Sequence, residues 1–280
     1  MLARLSLNDG TWGERALRYG LLSAGACFAV LFLLLPLLVV FIEAFSQGLA
    51  LYIVSISDEE ALSAIRLTLV AAFFAVFFNL IFGVAAAWLI ARFTFRGRKL
   101  LLTLIDTPLA VSPVIAGLIF VLLYGARGPL APALDALGIK VIFTIGGIVV
   151  TTMFVTIPYI ARELIPFMME QGSVEEEAAL TLGAKGHQVF RFVTLPNIKW
   201  ALLYGVILCN SRAMGEFGAV SVVSGHIRGE TNTVPLHIEI LYNEYKFAAA
   251  FAVSSLLALL ALGTLLLKAV LERGGHNGLK

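Results

Sequence analysis

Six apolar stretches dominate this 280-residue sequence, at residues 19–45, 64–91, 101–124, 142–165, 199–223 and 247–270. Each is about 20 residues or longer, enough for an α-helix to cross roughly 30 Å of hydrocarbon. That layer holds no water to satisfy backbone N–H and C=O groups, so a chain can cross it only as helices or as a closed barrel. Runs this long and this continuously apolar specify helices. The expected fold class is an all-α polytopic membrane protein with six transmembrane helices. Composition agrees, because 60% of the residues are hydrophobic and 14% charged, against about 45–50% and 25% in soluble domains. An ordinary soluble enzyme, a disordered chain and a disulfide-rich secreted domain are excluded. A net charge of +2 is too mild for a nucleic-acid partner.

Arg15 and Arg18 precede the first stretch as the charged start of a signal peptide would. The apolar run that follows is roughly twice the usual 7–15 residues of a signal's core, so it reads as a retained helix. Lys and Arg on the connecting segments set the orientation. With the amino terminus inside, and basic residues near span ends counted with the adjoining segments, fourteen fall on inner segments, five on outer ones, and Arg212 alone is left to a span. Arg162 is counted there with an inner loop. Both termini are therefore expected in the cytoplasm, with tails at residues 1–18 and 271–280 around a membrane domain at 19–270. Residues 127–140, with Pro129, Pro132 and Gly138, read as a short outer helix or lip.

Two spans carry residues that hydrocarbon does not favour. The third holds Asp106, Pro108, Ser112 and Pro113. These either kink the helix or line a pathway, because proline frees backbone carbonyls that neighbouring groups must satisfy. The fifth holds Arg212 and Glu216, and each charge costs about 2.5–3.5 kcal/mol at a helix centre on insertion scales. Four residues apart, they are expected on one helix face and able to compensate each other. They read either as a structural ion pair or as a site on an anion's route. Gly215 and Gly218 beside them would allow close approach or a pivot. Asn79 reads as a bridge between helices, and Gly83 to Ala87 as a small-residue packing face. Cys27 and Cys209 sit in apolar runs and read as buried small side chains. The histidines, His187, His226, His237 and His276, lie on separate loops or in a tail without metal-ligand spacing. The sequence has no paired nucleophile and base, and no G-x-x-x-x-G-K-[ST] cradle for nucleotide phosphates.

The polar segment at 170–197 has its own character. Ser173 and Glu176 have capping-box spacing at a helix start, and Glu175, Glu176 and Glu177 suit the positive end of the helix dipole. Gly183 supplies a left-handed stop. A second short amphipathic piece follows and is expected to end at Leu195-Pro196, since proline disfavours helix in the residue before it. The product is a helix–turn–helix ledge. Its Glu177-Ala178-Ala179, Gly183, Val193, Leu195 and Pro196 resemble the EAA loop of ABC-importer permease subunits, E-A-A-x3-G-x9-I-x-L-P, with Val193 the one conservative departure.

The stretch from Asn210 through Ser211, Arg212, Gly215, Glu216 and Gly218 to Thr231 resembles the oxyanion branch of those permeases. Leu104–Gly117, Arg162–Pro166 and Thr194–Gly205 narrow the resemblance to sulfate/thiosulfate permeases of the W type. The resemblance implies the type I importer permease fold and an inner-membrane subunit that is itself non-catalytic. It implies a second, homologous permease, two ATPase subunits that use ATP and Mg2+, and a periplasmic or extracellular sulfate/thiosulfate-binding protein. The chain itself would bind no cofactor. On this reading Glu177, Ala178, Ala179, Gly183, Val193, Leu195 and Pro196 couple to the ATPase, and Asp106, Ser112, Ser211, Arg212, Gly215, Glu216 and Gly218 are pathway or gate candidates. A permease for molybdate or another tetrahedral oxyanion is the alternative within the class. A secondary transporter and a membrane-embedded hydrolase are the alternatives outside it.

Overall fold

In a computed structural model, the protein is described over residues 12–277. Among these residues the regular structure is all helical. The elements are α1 (Trp12–Ala29), a π-helical turn (Val30–Leu34), α2 (Leu35–Ala44), α3 (Leu49–Ser57), α4 (Glu59–Arg92), α5 (Arg98–Ala110), α6 (Pro113–Tyr124) and α7 (Ala131–Ala136). They continue with α8 (Ile145–Gln171), α9 (Val174–Thr181), α10 (Gly186–Val189), a second π turn (Phe190–Thr194), α11 (Leu195–Met214), α12 (Gly218–Val223), α13 (Val234–Asn243) and α14 (Phe247–Asn277). Five helical segments are long and apolar enough to cross a membrane, and six if α5 and α6 count as one broken span. Residues 1–11 and 278–280 of the expected tails lie outside the described residues. Helix already covers 12–18, and α14 runs past 270.

The core is α4 packed on α8, with α11 against both. Small side chains make this possible. Ala71, Ala72, Ala75, Gly83, Ala86 and Ala87 form the buried stripe of α4, and a Cβ on Gly83 would stand 2.8 Å from Ile160 Cγ2 and 3.2 Å from the Ala161 amide nitrogen. The backbones approach as closely as the sequence pattern expects, the geometry small residues allow in membranes. Asn79 lies buried in this seam and donates to Thr156 Oγ1 at 2.8 Å and to the Met153 carbonyl at 3.0 Å, with Cys209 Sγ at 3.8 Å. It does bridge α4, α8 and α11. Cys209 is buried as expected, but Cys27 is exposed on α1, a helix that the rest of the chain leaves largely uncovered.

Both π turns sit one residue ahead of a Leu-Pro pair. The Leu35 N–H bonds to the Val30 carbonyl and the Leu195 N–H to the Phe190 carbonyl, each five residues back. A proline in a helix lacks an N–H and clashes with the carbonyl four residues earlier. One wider turn just before it lets the helix run on. The expected stop at Leu195-Pro196 is therefore overturned, and α10, the π turn and α11 form one 29-residue segment from Gly186 to Met214. The third span departs in the opposite sense. Instead of a kink, α5 and α6 meet at 108° across Val111-Ser112. Residues 127–140 contain the expected short helix, α7.

Candidate functional site

Contacts divide the bundle into two ends, and the 170–197 ledge marks one of them. Helix α9 stops as its sequence indicates. Gly183 has φ +88°, its N–H bonds to the Leu180 carbonyl at 3.0 Å, and the Ala184 N–H bonds to the Ala179 carbonyl at 3.0 Å. This is the Schellman arrangement, which requires a left-handed residue at that position. Nothing stands within 4 Å of where a Gly183 side chain would begin.

The expected capping box does not form. Glu176 turns inward, where its Oε2 meets Arg92 Nε at 2.7 Å and its Oε1 accepts from Thr194 Oγ1 at 2.7 Å. Arg92 also donates to the Met168 carbonyl at 2.6 Å, one of the four carbonyls left open at the end of α8. The Arg92 side chain is 8% exposed and that of Glu176 13%. One largely buried charge pair thus clamps the ledge to the ends of α4 and α8 and to the start of the α11 segment. Ser173 donates to Glu177 at 2.5 Å, and Asn197 donates to Glu175. With the acids held this way, the ledge presents Val174, Leu180, Leu182 and Phe192 as exposed apolar side chains. Glu177, Ala178 and Gly183 lie exposed beside them, Ala179, Val193 and Leu195 are half-buried, and Pro196 is exposed.

A second constellation forms where the two interrupted spans meet. Helix α11 ends at Gly215, and Glu216 stands in the break before α12. The pair with Arg212 forms, NH1 to Oε2 at 2.6 Å. It does so across the break and not along a continuous helical face, which corrects the spacing argument. Glu216 is 1% exposed and Arg212 29%. The other carboxylate oxygen of Glu216 accepts from the Ala219 N–H at 2.9 Å, filling an open donor at the start of α12. Glu216 therefore pins both sides of the break.

Helix α12 packs on α6. A Cβ on Gly218 would lie 3.1 Å from Pro113 Cβ, and one on Gly117 2.6 Å from the Ala219 carbonyl. The Ser112-Pro113 corner and the Glu216–Gly218 break are thus in direct contact through glycine. Gly215 has more room, with the Ser211 carbonyl 3.7 Å from its would-be Cβ. Ser112 is exposed. Ser211 faces α14, where it shares a hydrogen bond with Thr264 at 2.9 Å.

Asp106 pairs with Arg162, which is expected on an inner loop but lies inside α8, its Nε 3.5 Å from Asp106 Oδ1. The signal that would have found it is Asp106 itself, since a carboxylate in a span needs a cation. At the end opposite the ledge, Arg228 pairs with Glu60 at 3.4 Å and also with Glu244, which Lys246 contacts at 2.9 Å. The Arg228 guanidinium and Lys246 hold the Glu244 carboxyl below its usual range. His237 is buried in α13 and not on a loop. Burial pushes its imidazole below the ordinary histidine value, against Glu60, Asp58 and Glu244, which raise it, and with Arg228, which lowers it.

The sequence model of binding-protein-dependent transport system inner membrane components matches residues 79–274. The chain is 50% identical over 271 residues to the sulfate transport system permease protein CysW of Escherichia coli strain K12, covering 97% of this chain and 92% of that one. It is 38% identical over 236 residues to the sulfate transport system permease protein CysT of Salmonella typhimurium, covering 84% and 85%. The fold is similar to that of a bacterial ABC transporter involved in the import of the acidic polysaccharide alginate, with a TM-score of 0.79 over 93% of this chain and 96% of that one. At 19% identity this last likeness concerns architecture alone.

Proposed function

This chain belongs to the family of binding-protein-dependent transport system inner membrane components, and we propose that it is the W-type permease subunit of an ATP-driven importer of sulfate or thiosulfate. Family membership sets aside the secondary-transporter and hydrolase readings. The sulfate permeases among its relatives favour sulfate or thiosulfate over molybdate. The chain sits in the cytoplasmic membrane as a multi-pass subunit, with both termini and the ledge inside. A second permease of the T type completes the pathway, a binding protein delivers the anion from outside, and two partner ATPases bind ATP and Mg2+.

The observation that carries this reading is the ledge. Its acids are occupied within the chain while Val174, Leu180, Leu182 and Phe192 stand out from it. A charged surface segment otherwise exposing four large apolar side chains fits a protein partner. The Schellman turn at Gly183 fixes the direction of that face. Nucleotide-driven closure of the ATPases pulls on the ledge, the Arg92–Glu176 clamp passes the motion to α4 and α8, and the continuous Gly186–Met214 segment carries it to the break at Gly215. There the Arg212–Glu216 pair, Gly218 and the Ser112-Pro113 corner form the gate between α11–α12 and α5–α6, with Asp106 on the pathway side.

Membrane vesicles from cells expressing the full complex test the reading. Radiolabelled sulfate uptake should require this chain together with ATP, and the ATPase should co-purify with it. ATP-independent uptake, or uptake unaffected by deleting the chain, would overturn it.

A further inference from the structure

Arg162 and Arg212 both lie within candidate spans, and the structure separates their roles. Arg212 is bound at 2.6 Å to a carboxylate that is itself 1% exposed and fixed to α12. Its charge is neutralised and its position is set by the break. Arg162 meets Asp106 at 3.5 Å, and the two side chains are 59% and 47% exposed. A charge-assisted hydrogen bond between such groups is about 2.7–2.9 Å long, so this pair is a loose electrostatic association.

Position makes the exposure informative. Arg162 lies nine residues before the end of α8 and Asp106 eight residues after the start of α5. At about 1.5 Å per residue both are roughly 12–14 Å from the ledge ends of their helices, within segments long and apolar enough to cross a membrane. A guanidinium turned toward lipid at that depth is disfavoured, so this face is covered by water or by protein.

Helices α5 and α8 pack together, and nearer the ledge Arg98 of α5 reaches Met169 Sδ of α8 at 3.6 Å, its Nε buried without a hydrogen-bond partner. Two guanidiniums and one carboxylate thus lie along the α5–α8 contact, one positive charge in excess among these three groups.

Resting on the importer reading above, we infer that Arg162 binds the translocated oxyanion in the half of the pathway nearest the ledge, with Asp106 as its positioning residue. The planar fork of arginine offers parallel N–H donors to two oxygens of a tetrahedral anion. Asp106 stands close enough to bias the orientation of the guanidinium and to compete for it when the anion leaves. A conduit needs this balance, since a site must bind weakly enough to release.

The test uses the complete complex with its binding protein in proteoliposomes, with sulfate as the probe. Arg162→Gln should lower the maximal uptake rate at least tenfold while the permease pair and ATPase still co-purify. Arg162→Lys, which keeps charge without the fork, should fall between Gln and wild type. Asp106→Asn should lower both the maximal rate and the half-saturating concentration, because the anion is then held longer. Wild-type uptake by Arg162→Gln would overturn the inference while leaving the importer reading intact. So would loss of assembly in Arg162→Gln together with unaltered kinetics in Asp106→Asn, which would make the pair a subunit contact. Failure of the wild-type complex to take up sulfate at all would instead count against the importer reading.

Discussion

Replacing Glu176 with glutamine isolates the mechanical role of the clamp. The carboxylate bonds to Arg92 and Thr194 at once, and Arg92 is tied to Met168 as well. Deleting the side chain would strand a guanidinium that is 8% exposed. Breaking a buried pair in this way costs about 3–5 kcal/mol, enough to threaten folding. Glutamine keeps the shape and an acceptor for Arg92 and removes only the charge. The Thr194 bond changes from a charge-assisted one, about 1.5–3 kcal/mol, to a neutral one, about 0.5–1.5. Arg92 keeps a charge-assisted bond to the amide oxygen and loses the opposite charge, so the expected loss is about 1–2 kcal/mol. That corresponds to roughly a 5- to 30-fold rise in the open population of the ledge.

Hydrogen exchange on the purified complex reads this directly, as faster exchange across residues 174–184 and little change in α8. In vesicles, Glu176→Gln should lose more sulfate uptake than ATP hydrolysis, because a slack ledge wastes the stroke. Arg92→Gln should behave alike, and the double variant should be no worse than either single one. Additive losses, or unaltered exchange with full transport in Glu176→Gln, would refute the clamp as the transmitting element.

Three further outcomes are expected. At Gly183 only the backbone objects to a side chain, since φ is +88° and the space is open. Gly183→Val should therefore be strained by about 1–2 kcal/mol and impair coupled ATP hydrolysis and uptake, whereas Gly183→Asn, which tolerates that conformation, should retain most of both. Equal damage from Asn would show that a partner's close approach, and not φ, selects glycine. Gly83→Ala drives a methyl against Ile160 and the Ala161 backbone and should cost about 1–3 kcal/mol, visible as a lower unfolding temperature in detergent; an unchanged temperature would contradict the close α4–α8 approach. The depressed His237 value means that the fold favours the neutral ring. As pH falls below about 6.5 the unfolded segment takes up the proton first, so stability at that end declines until the pH passes below the folded value. Exchange across residues 231–241 should rise on acidification in the wild type and much less in His237→Gln.

Much of this was legible in the residues. Long apolar runs specify spans because the bilayer offers no other solution for the backbone. The α9 stop was readable because a left-handed residue after a helix strongly favours glycine, as at Gly183. Asn79 was readable as a bridge because a buried amide needs partners. What escaped the sequence was governed by contacts between distant segments. Glu176 has capping-box spacing, but the desolvated Arg92 competes for its carboxylate and wins. Leu195-Pro196 signals a stop, yet a π turn absorbs the proline. Arg162 lies a few residues before the polar ledge and reads as part of that inner segment; only the approach of α5 to α8 shows that it belongs with Asp106. Arg212 and Glu216 have helical spacing, but the helix ends between them, and the pair holds that end in place.

The most direct test of the whole account is a photo-crosslinking residue at position 182, the exposed leucine at the tip of the ledge, in the assembled complex. An adduct with the ATPase subunit is expected, with a yield that changes when ATP is bound. Adducts with lipid or the external binding protein alone would contradict it.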